Sequence, residues 1–244
     1  MVVWCNRMLW MKKDQILFIH NPKCAGTAVH NAVLLSYPNA KKYWGRFYSS
    51  DLDRIIDLTH LTIQEAHQIT GITSRCSSFG FVRNPFNRFV SAYWHLKVHN
   101  TSLDSMSMEE LAFDILDEER IRYDWKFIHF IPQYRMFFIN NTQAVSNIWK
   151  VESISSSWNE VCEVYRLSTK LEYENVRINC PTVDLSDRLK ARLTFLYARD
   201  FKLFNYDPAP ADDAMTYNTG QFYQEYASMW PERRSVDISD YYKR

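Results

Sequence analysis

The sequence contains few of the residues that mark repetitive, unstructured or disulfide-rich chains. Its 244 residues include only five glycines and eight prolines, so it has no low-complexity linker and no collagen-like repeat. The five cysteines are scattered, odd in number and never spaced as CxxC. This pattern supports neither a zinc site nor a disulfide framework, and free thiols in a reducing compartment are the expected state.

Long hydrophobic runs and an excess of one charge are also missing. The first segment, MVVWCNRMLWMKK, is apolar for only about ten residues, too few to cross a bilayer, and lacks the order of a signal peptide. We therefore expect no integral membrane segment and a cytoplasmic protein. The formal net charge is +1, so we expect no nucleic-acid partner, although this value leaves room for a local cationic pocket.

What the sequence does contain is two segments with the same order of strand, tight loop and helix. In ILFIHNPKCAGTAVHNAV, a strand predicted at 15–20 stops at Asn-Pro, and a helix follows from Thr27 to about Tyr37. In SSFGFVRNPFNRFVSAYWHL, a strand near 77–82 precedes a helix at about 86–97. Two such units predict an α/β fold with parallel strands joined by crossovers.

Three further segments have readable patterns. VSNIWKVES is typical of another strand, followed by a helix. Thr62 is placed to cap a helix that runs through Ile69. The segment LSDRLKARLTFLYARDFKLF predicts one long helix, capped by Ser186 or Asp187.

Both loops place a cation at the carboxyl end of a predicted strand, where open parallel sheets bind ligands. The first supplies Lys23, Gly26 and the N–H groups of residues 25–28 at a helix N-terminus, a favourable place for a phosphate. Taken alone, this loop fits a tight turn with a solvated lysine equally well. The second supplies the guanidinium of Arg83 and, two turns into its helix, the hydroxyl of Ser91.

Together, the two loops resemble the cofactor-binding motifs of the sulfotransferase superfamily. FIHNPKCAGTA is similar to the superfamily's 5′-phosphosulfate loop, and FVRNPFNRFVSAY is similar to its 3′-phosphate loop. The resemblance is strongest to the carbohydrate sulfotransferase branch, typified by heparan sulfate 2-O-sulfotransferase, and to related bacterial proteins. Similar short segments extend it over roughly residues 15–207: HLT, HFIPQ, KVES and LYARDFKLFNYD.

This resemblance implies a P-loop-like, three-layer α/β/α fold with a central parallel sheet. It also implies an enzyme that moves the sulfuryl group of 3′-phosphoadenosine-5′-phosphosulfate to an acceptor hydroxyl, on a carbohydrate or glycoconjugate, without a metal. The product is adenosine 3′,5′-bisphosphate. The domains expected are an N-terminal extension at 1–14, a sulfotransferase domain at 15–207, and a C-terminal tail at 208–244 that packs on or near it.

The same resemblance assigns roles to individual residues. Those expected to bind the cofactor are Lys23, Ala25, Gly26, Thr27, Ala28, Arg83 and Ser91. Lys23 is also expected to be catalytic, because a cation at the departing phosphate stabilises the transition state. Cys24 and Ala28 stand where hydroxyl residues are frequent in the superfamily, so two side-chain donors are missing while the backbone donors remain.

An acceptor hydroxyl needs a general base, and two histidines are candidates. His60 lies between the two loops, where related enzymes place a catalytic histidine, and His20 is the alternative. Two rival functions stay open. A P-loop kinase would need a lysine after the glycine, as in GxxxxGK[ST], and an acidic magnesium ligand. A non-catalytic nucleotide-binding relative would keep the loops and lack turnover.

Overall fold

The computed structural model describes residues 7–73, 75–99, 106–172 and 184–208. The strands of these residues are β1 (Met8–Met11), β2 (Ile16–Phe18), β3 (Lys41–Tyr43), β4 (Arg46–Ser49), β5 (Arg54–Asp57), β6 (Ser77–Val82), β7 (Phe138–Ile139), β8 (Thr142–Gln143) and β9 (Asn147–Lys150). Their α-helices are α1 (Gly26–Ser36), α2 (Ile63–Thr70), α3 (Pro85–His99), α4 (Met108–Glu110), α5 (Arg120–Tyr123), α6 (Tyr134–Phe137), α7 (Ile154–Tyr165), α8 (Asp187–Leu196) and α9 (Ala198–Leu203).

The described chain divides into two compact units. The first comprises residues 7–83 and 135–172, and the second comprises residues 84–134 and 184–208. The first unit contains the sheets, and the second is helical. The expected tail at 208–244 lies outside the described residues, apart from residue 208. Within the described residues, no helix is long and apolar enough to span a membrane.

The five-stranded sheet of the first unit has the order β3-β1-β2-β6-β9. Its strands β2, β6 and β9 are parallel, with Phe18 opposite Phe79 and Phe79 opposite Asn147. This arrangement confirms a mixed α/β fold with parallel strands at its centre. The strands predicted near 77–82 and within VSNIWKVES are also confirmed.

One strand of this sheet, β1, runs in the opposite direction to the other four, which departs from the expected parallel sheet. β1 is antiparallel to both β2 and β3. The reason is local: only residues 12–15 connect β1 to β2, and so short a connection can join only antiparallel strands. Gln15 completes that turn with φ 55°. The residues of β1 are buried and pair with β2 and β3 in the five-stranded sheet.

Helices α1 and α7 cover one face of this sheet. Alternate residues of the strands, such as Phe18 of β2 and Phe79 of β6, share a core with Val29 of α1 and Trp158 of α7. On the opposite face, the ring of Phe137 lies directly against Gly80. A side chain at that position would collide with the ring, so the close approach requires glycine.

The predicted helix starts are confirmed in this unit. α1 begins at Gly26, one residue before the expected Thr27, and ends before Pro38. Thr62 caps α2 in a reciprocal capping box, in which its hydroxyl accepts from the N–H of Glu65 and Glu65 accepts from the N–H of Thr62. The cap at Thr62 depends on neighbouring residues alone, which is why the sequence could predict it.

The second unit is built around α3 and α8. Phe89 and Leu96 of α3 share an apolar core with Leu189 and Leu193 of α8. The long helix predicted over LSDRLKARLTFLYARDFKLF is interrupted at Tyr197, so the prediction of one helix is wrong there. Tyr197 has φ −114° and ψ 24°, and its hydroxyl donates to the carbonyl of Phe130 at 2.9 Å. The side chain of Tyr197 is buried at this break.

Candidate functional site

The first loop runs from the end of β2 into α1 and has an unusual backbone. Lys23 and Ala25 both have positive φ values, 64° and 57°. This left-handed conformation costs a non-glycine residue about 1–2 kcal/mol. Strain of this kind is concentrated at functional sites, where the surrounding structure holds it in place.

The start of α1 presents backbone N–H groups. Ala25 is the N-cap residue and provides no side-chain hydrogen bond, and the first helical bond runs from the N–H of Val29 to the carbonyl of Ala25. The N–H groups of Gly26, Thr27 and Ala28 come before that bond and have no acceptor within the helix. Together with the half-buried Lys23, they make a place suited to an anion.

The side chain of His20 requires a glycine at position 26. Its imidazole lies so close to the Gly26 backbone that any added Cβ would overlap the ring. Gly26 is therefore required for close packing, although its φ does not fall in the left-handed range. His20 itself is buried between the rings of Phe18, at 6.0 Å, and His60, at 4.6 Å between centroids.

The second loop follows β6, the parallel neighbour of β2. Arg83 comes directly after the last residue of β6, just as the Lys23 loop follows β2. Because the strands are parallel and paired, both loops lie at the same edge of the sheet. The side chain of Asn21 joins the first loop to β6, since its Nδ2 donates to the carbonyl of Phe81 at 2.9 Å.

His60 ends a 3₁₀ turn, Leu58–His60, that leads from β5 towards this edge. Its Nδ1 lies 2.9 Å from the carbonyl oxygen of His20. A carbonyl can only accept, so Nδ1 carries the proton and Nε2 is left with the lone pair. That tautomer is the one a general base needs, with the basic nitrogen turned away from the backbone bond.

Burial keeps both imidazoles neutral. It lowers the pKa of His60, against the opposing effects of the Asp57 charge and the His20 carbonyl. Burial also lowers the pKa of His20 well below its usual value, and the neighbouring His60, His30 and Lys23 add to this effect. A neutral His60 is ready to accept a proton at neutral pH.

Asp57 holds the turn that carries His60. Its Oδ1 accepts from the N–H of Thr59 at 2.9 Å, and its Oδ2 pairs with Nε of Arg46 at 2.9 Å. Arg46 belongs to β4, the antiparallel partner of β5. The hairpin of β4 and β5 is thereby joined to the 3₁₀ turn through one carboxylate.

Ser91 belongs to the second unit, two turns into α3, and is half-exposed. Arg88, one turn before it, is 2% exposed and donates from Nη2 to the carbonyl of His129 at 3.2 Å. Because Ser91 follows Arg88 by three residues, it lies on the same side of α3 as this buried residue.

Two of these contacts are not indicated by the sequence motifs, although Asn21 itself lies within the first one. The Asn21–Phe81 bond joins residues that are sixty positions apart, and Asp57 has no conspicuous pattern around it. Among the residues that the structure describes, no three or more His, Cys, Asp or Glu side chains form a group that could hold a metal ion. Cys24, Cys76 and Cys162 are free thiols, while Cys5 and Cys180 lie outside the described residues.

The comparisons with known proteins identify the class. Residues 6–207 match a family model described as the sulfotransferase family. The match covers most of the chain, so the chain belongs to the sulfotransferase family, and membership implies a transferase. No curated protein and no solved structure matches the chain.

Proposed function

We propose that the protein is a sulfotransferase that uses 3′-phosphoadenosine-5′-phosphosulfate as donor and an acceptor hydroxyl as nucleophile. We further propose a P-loop-like, three-layer fold and an acceptor hydroxyl on a carbohydrate or glycoconjugate. The family match supports sulfuryl transfer. The choice of donor and acceptor is supported by the resemblance of the two loop motifs.

The observation that carries the proposal is the pairing of β2 with β6. It brings Lys23 and Arg83 to one edge of one sheet, so that a ligand with two separated phosphates can meet a cation at each. Arg83 follows directly on β6 and Lys23 lies in the loop after β2, at the end of parallel strands where such sheets bind ligands. The left-handed Lys23 and Ala25 and the uncapped first turn of α1 fit a phosphate at the first loop.

Lys23 and the amides of the first loop are proposed to act on the leaving group. The donor supplies a sulfuryl group, and breaking its sulfur–oxygen bond leaves negative charge on the 5′-phosphate. The ammonium of Lys23 and the N–H groups of Gly26, Thr27 and Ala28 stabilise that charge more as it grows. Ala25 positions these amides as the N-cap residue of α1.

His60 is proposed as the general base. Its Nε2 takes the proton of the acceptor hydroxyl, while Nδ1 stays bonded to the carbonyl of His20. The lowered pKa keeps Nε2 unprotonated, and the turn held by Asp57 and Arg46 keeps the ring in place. Arg83 and Ser91 are proposed to bind the 3′-phosphate through a guanidinium and a hydroxyl.

A binding experiment separates the donor from ATP. Isothermal titration calorimetry with adenosine 3′,5′-bisphosphate, in the presence of EDTA, should show binding that ATP with magnesium does not match. Arg83→Ala should weaken the bisphosphate binding, and Lys13→Ala, at an exposed lysine, should not. Tight ATP binding that depends on magnesium, without binding of the bisphosphate, would instead indicate a kinase.

A transfer experiment separates the enzyme from a non-catalytic relative. Sulfur-35 from the labelled donor should appear in a carbohydrate acceptor from a panel of hydroxylated glycans, glycosides and lipids. Normal bisphosphate binding with no transfer to any member of the panel would contradict the proposed catalysis. Transfer to a non-carbohydrate member alone would keep the reaction and overturn the proposed acceptor class.

A further inference from the structure

The side chain of Asn21 uses both of its N–H groups, one within the first loop and one to β6, the strand that leads to Arg83. Nδ2 donates to the carbonyl of Phe81 at 2.9 Å and to Sγ of Cys24 at 3.2 Å. The amide orientation is fixed by chemistry, because the carbonyl of Phe81 can only accept. Asn21 is 2% exposed, and Phe81 lies two residues before Arg83.

Cys24 extends this connection along the first loop. Its thiol is 2% exposed and reaches the carbonyl of Pro22 at 3.5 Å. A thiol is both a weak donor and a weak acceptor, so it accepts from Asn21 while it donates to Pro22. We call the resulting chain of contacts, from Phe81 through Asn21 and Cys24 to Pro22, the loop clamp.

The loop clamp lies where the backbone is strained. Cys24 stands between Lys23 and Ala25, the two residues with positive φ. A strained conformation persists only where surrounding contacts hold it, and the bond from Asn21 to Cys24 is such a contact. Its other bond, to Phe81, ties the same loop to the strand that leads to Arg83.

We propose that Asn21 is a positioning residue of the donor site. Through Cys24 it holds the backbone that presents Lys23 and the α1 amides, and through Phe81 it sets their separation from Arg83. The identity of the ligand in this inference rests on the proposed function, whereas the loop clamp itself does not. Asn21 touches no reacting atom and acts through the two loops.

Binding of adenosine 3′,5′-bisphosphate gives the first test. Asn21→Asp keeps the size of the side chain but replaces both N–H donors by acceptors, and Asn21→Ala removes it. Each variant should raise the Kd for the bisphosphate about tenfold or more. The loop is then less ordered before binding, and the free energy needed to order it reduces the affinity. Asn159→Ala, at an exposed asparagine of α7, is the matched control and should leave the Kd unchanged. An unchanged Kd in both Asn21 variants, with the ligand still bound, overturns the proposal.

Substitutions at Cys24 test the direction of the connection. Cys24→Ser keeps an atom that accepts from Asn21 and donates to Pro22, so its Kd should stay within about threefold of the wild type. Cys24→Ala should raise the Kd by no more than Asn21→Ala, because the bond from Asn21 to Phe81 remains. The variant with both changes should bind no more weakly than Asn21→Ala alone, because the Cys24 contact is already lost in that variant. Fully additive losses would show two independent sites and contradict the loop clamp.

Thiol labelling tests the loop clamp without any nucleotide. Iodoacetamide labelling followed by peptide mass spectrometry reads Cys24 and Cys76 separately, and Cys76 is a buried thiol at the opposite end of β6. In Asn21→Ala, Cys24 should react at least several times faster than in the wild type, while Cys76 does not change. Equal acceleration of both thiols would indicate general unfolding and, like no acceleration at all, would overturn the local role. If the wild type binds no bisphosphate, the proposed function fails. The labelling still shows whether Asn21 holds Cys24 in the loop clamp.

Discussion

The Nδ1 atom of His60 donates to the backbone carbonyl of His20, and the two imidazole rings lie 4.6 Å apart. The bond that orients His60 therefore does not depend on the side chain of His20. This relationship makes the two candidate bases distinguishable by mutation. Removing the His20 ring leaves the bond that orients His60, whereas removing the His60 ring removes the proposed base itself.

We expect His60→Ala to lower kcat by about 10²–10⁴-fold, the range typical of a lost general base. His20→Ala should retain most of kcat, since the carbonyl that fixes the His60 tautomer remains. Steady-state kinetics on both variants, with thermal melting to confirm that they fold, check this assignment. A larger loss in His20→Ala than in His60→Ala would identify His20 as the base.

The pH dependence of turnover follows from the same site. Burial lowers the pKa of His60 below its usual 6.5, so Nε2 stays unprotonated to a lower pH than in a free imidazole. The acid limb of kcat/KM should therefore have its midpoint below pH 6.5, with activity lost as the pH falls through that midpoint. A pH–rate profile checks it, and an acid limb centred above pH 7 would contradict the assigned base.

Lys23 and Arg83 should fail in different ways. On the proposed function, Lys23→Ala removes the positive charge beside the departing phosphate. The kcat should then fall by about 10²–10³-fold, while bisphosphate binding changes less. Arg83→Ala should chiefly weaken binding, by about tenfold or more, because charge-assisted hydrogen bonds contribute about 1.5–3 kcal/mol. Kinetics and calorimetry on the same preparations check the contrast. Equal losses in both measurements for both variants would remove the distinction between the two loops.

Gly26→Ala should abolish bisphosphate binding, because its methyl group would overlap the imidazole of His20 and push the loop out of place. Combining Gly26→Ala with His20→Ala should restore part of the binding, since the obstructing ring is then absent. Calorimetry on the two single variants and the double variant checks this rescue. No recovery in the double variant would show that the space beside Gly26 is needed for the ligand instead of for His20.

Asp200 predicts a pH dependence of stability in the second unit. It is fully buried and accepts from the N–H groups of Gln133 and Tyr134, at 2.8 Å each. Burial raises its pKa from 3.8 to about 6, although the Arg88 charge and these N–H groups oppose the shift. The folded protein therefore keeps a proton that the unfolded chain releases between about pH 4 and 6, and stability from this group falls as the pH rises through that window.

The variant Asp200→Asn isolates this effect. The free energy of unfolding of the wild type minus that of Asp200→Asn should be largest near pH 4 and decline by roughly 1–3 kcal/mol towards pH 7. The difference cancels the buried histidines, whose lowered pKa values make stability fall as the pH drops below about 6.5. Urea denaturation at several pH values measures it, with Asp51→Asn as the exposed control. A difference that rises with pH would contradict the sign.

The sequence predicts those parts of the fold that neighbouring residues decide. The capping box at Thr62 needs only Glu65, and the break between β2 and α1 needs only Asn-Pro and Gly26. The motif resemblance then supplied roles for Lys23 and Arg83. Their common edge of the sheet follows from parallel pairing, which two strand–loop–helix units already predict.

Contacts between distant segments could not be predicted in this way. The helix break at Tyr197 occurs where its hydroxyl donates to the carbonyl of Phe130, and the buried Arg88 donates to the carbonyl of His129. The residues next to Asn21 in the sequence do not indicate that its side-chain amide contacts Phe81. A polar side chain is favourable in the interior only when its partner is present, and these partners are 41 to 67 residues away.

The bond between Asn21 and Phe81 also has a consequence for the order in which the protein matures. Its two ends are sixty residues apart, so the ribosome releases the first loop well before the strand that secures it. Closing so long a stretch of chain is slow compared with forming α1 itself. On the proposed function, a nascent chain gains affinity for the nucleotide donor only when β6 has docked, and donor present during synthesis would favour the chains that have completed that step.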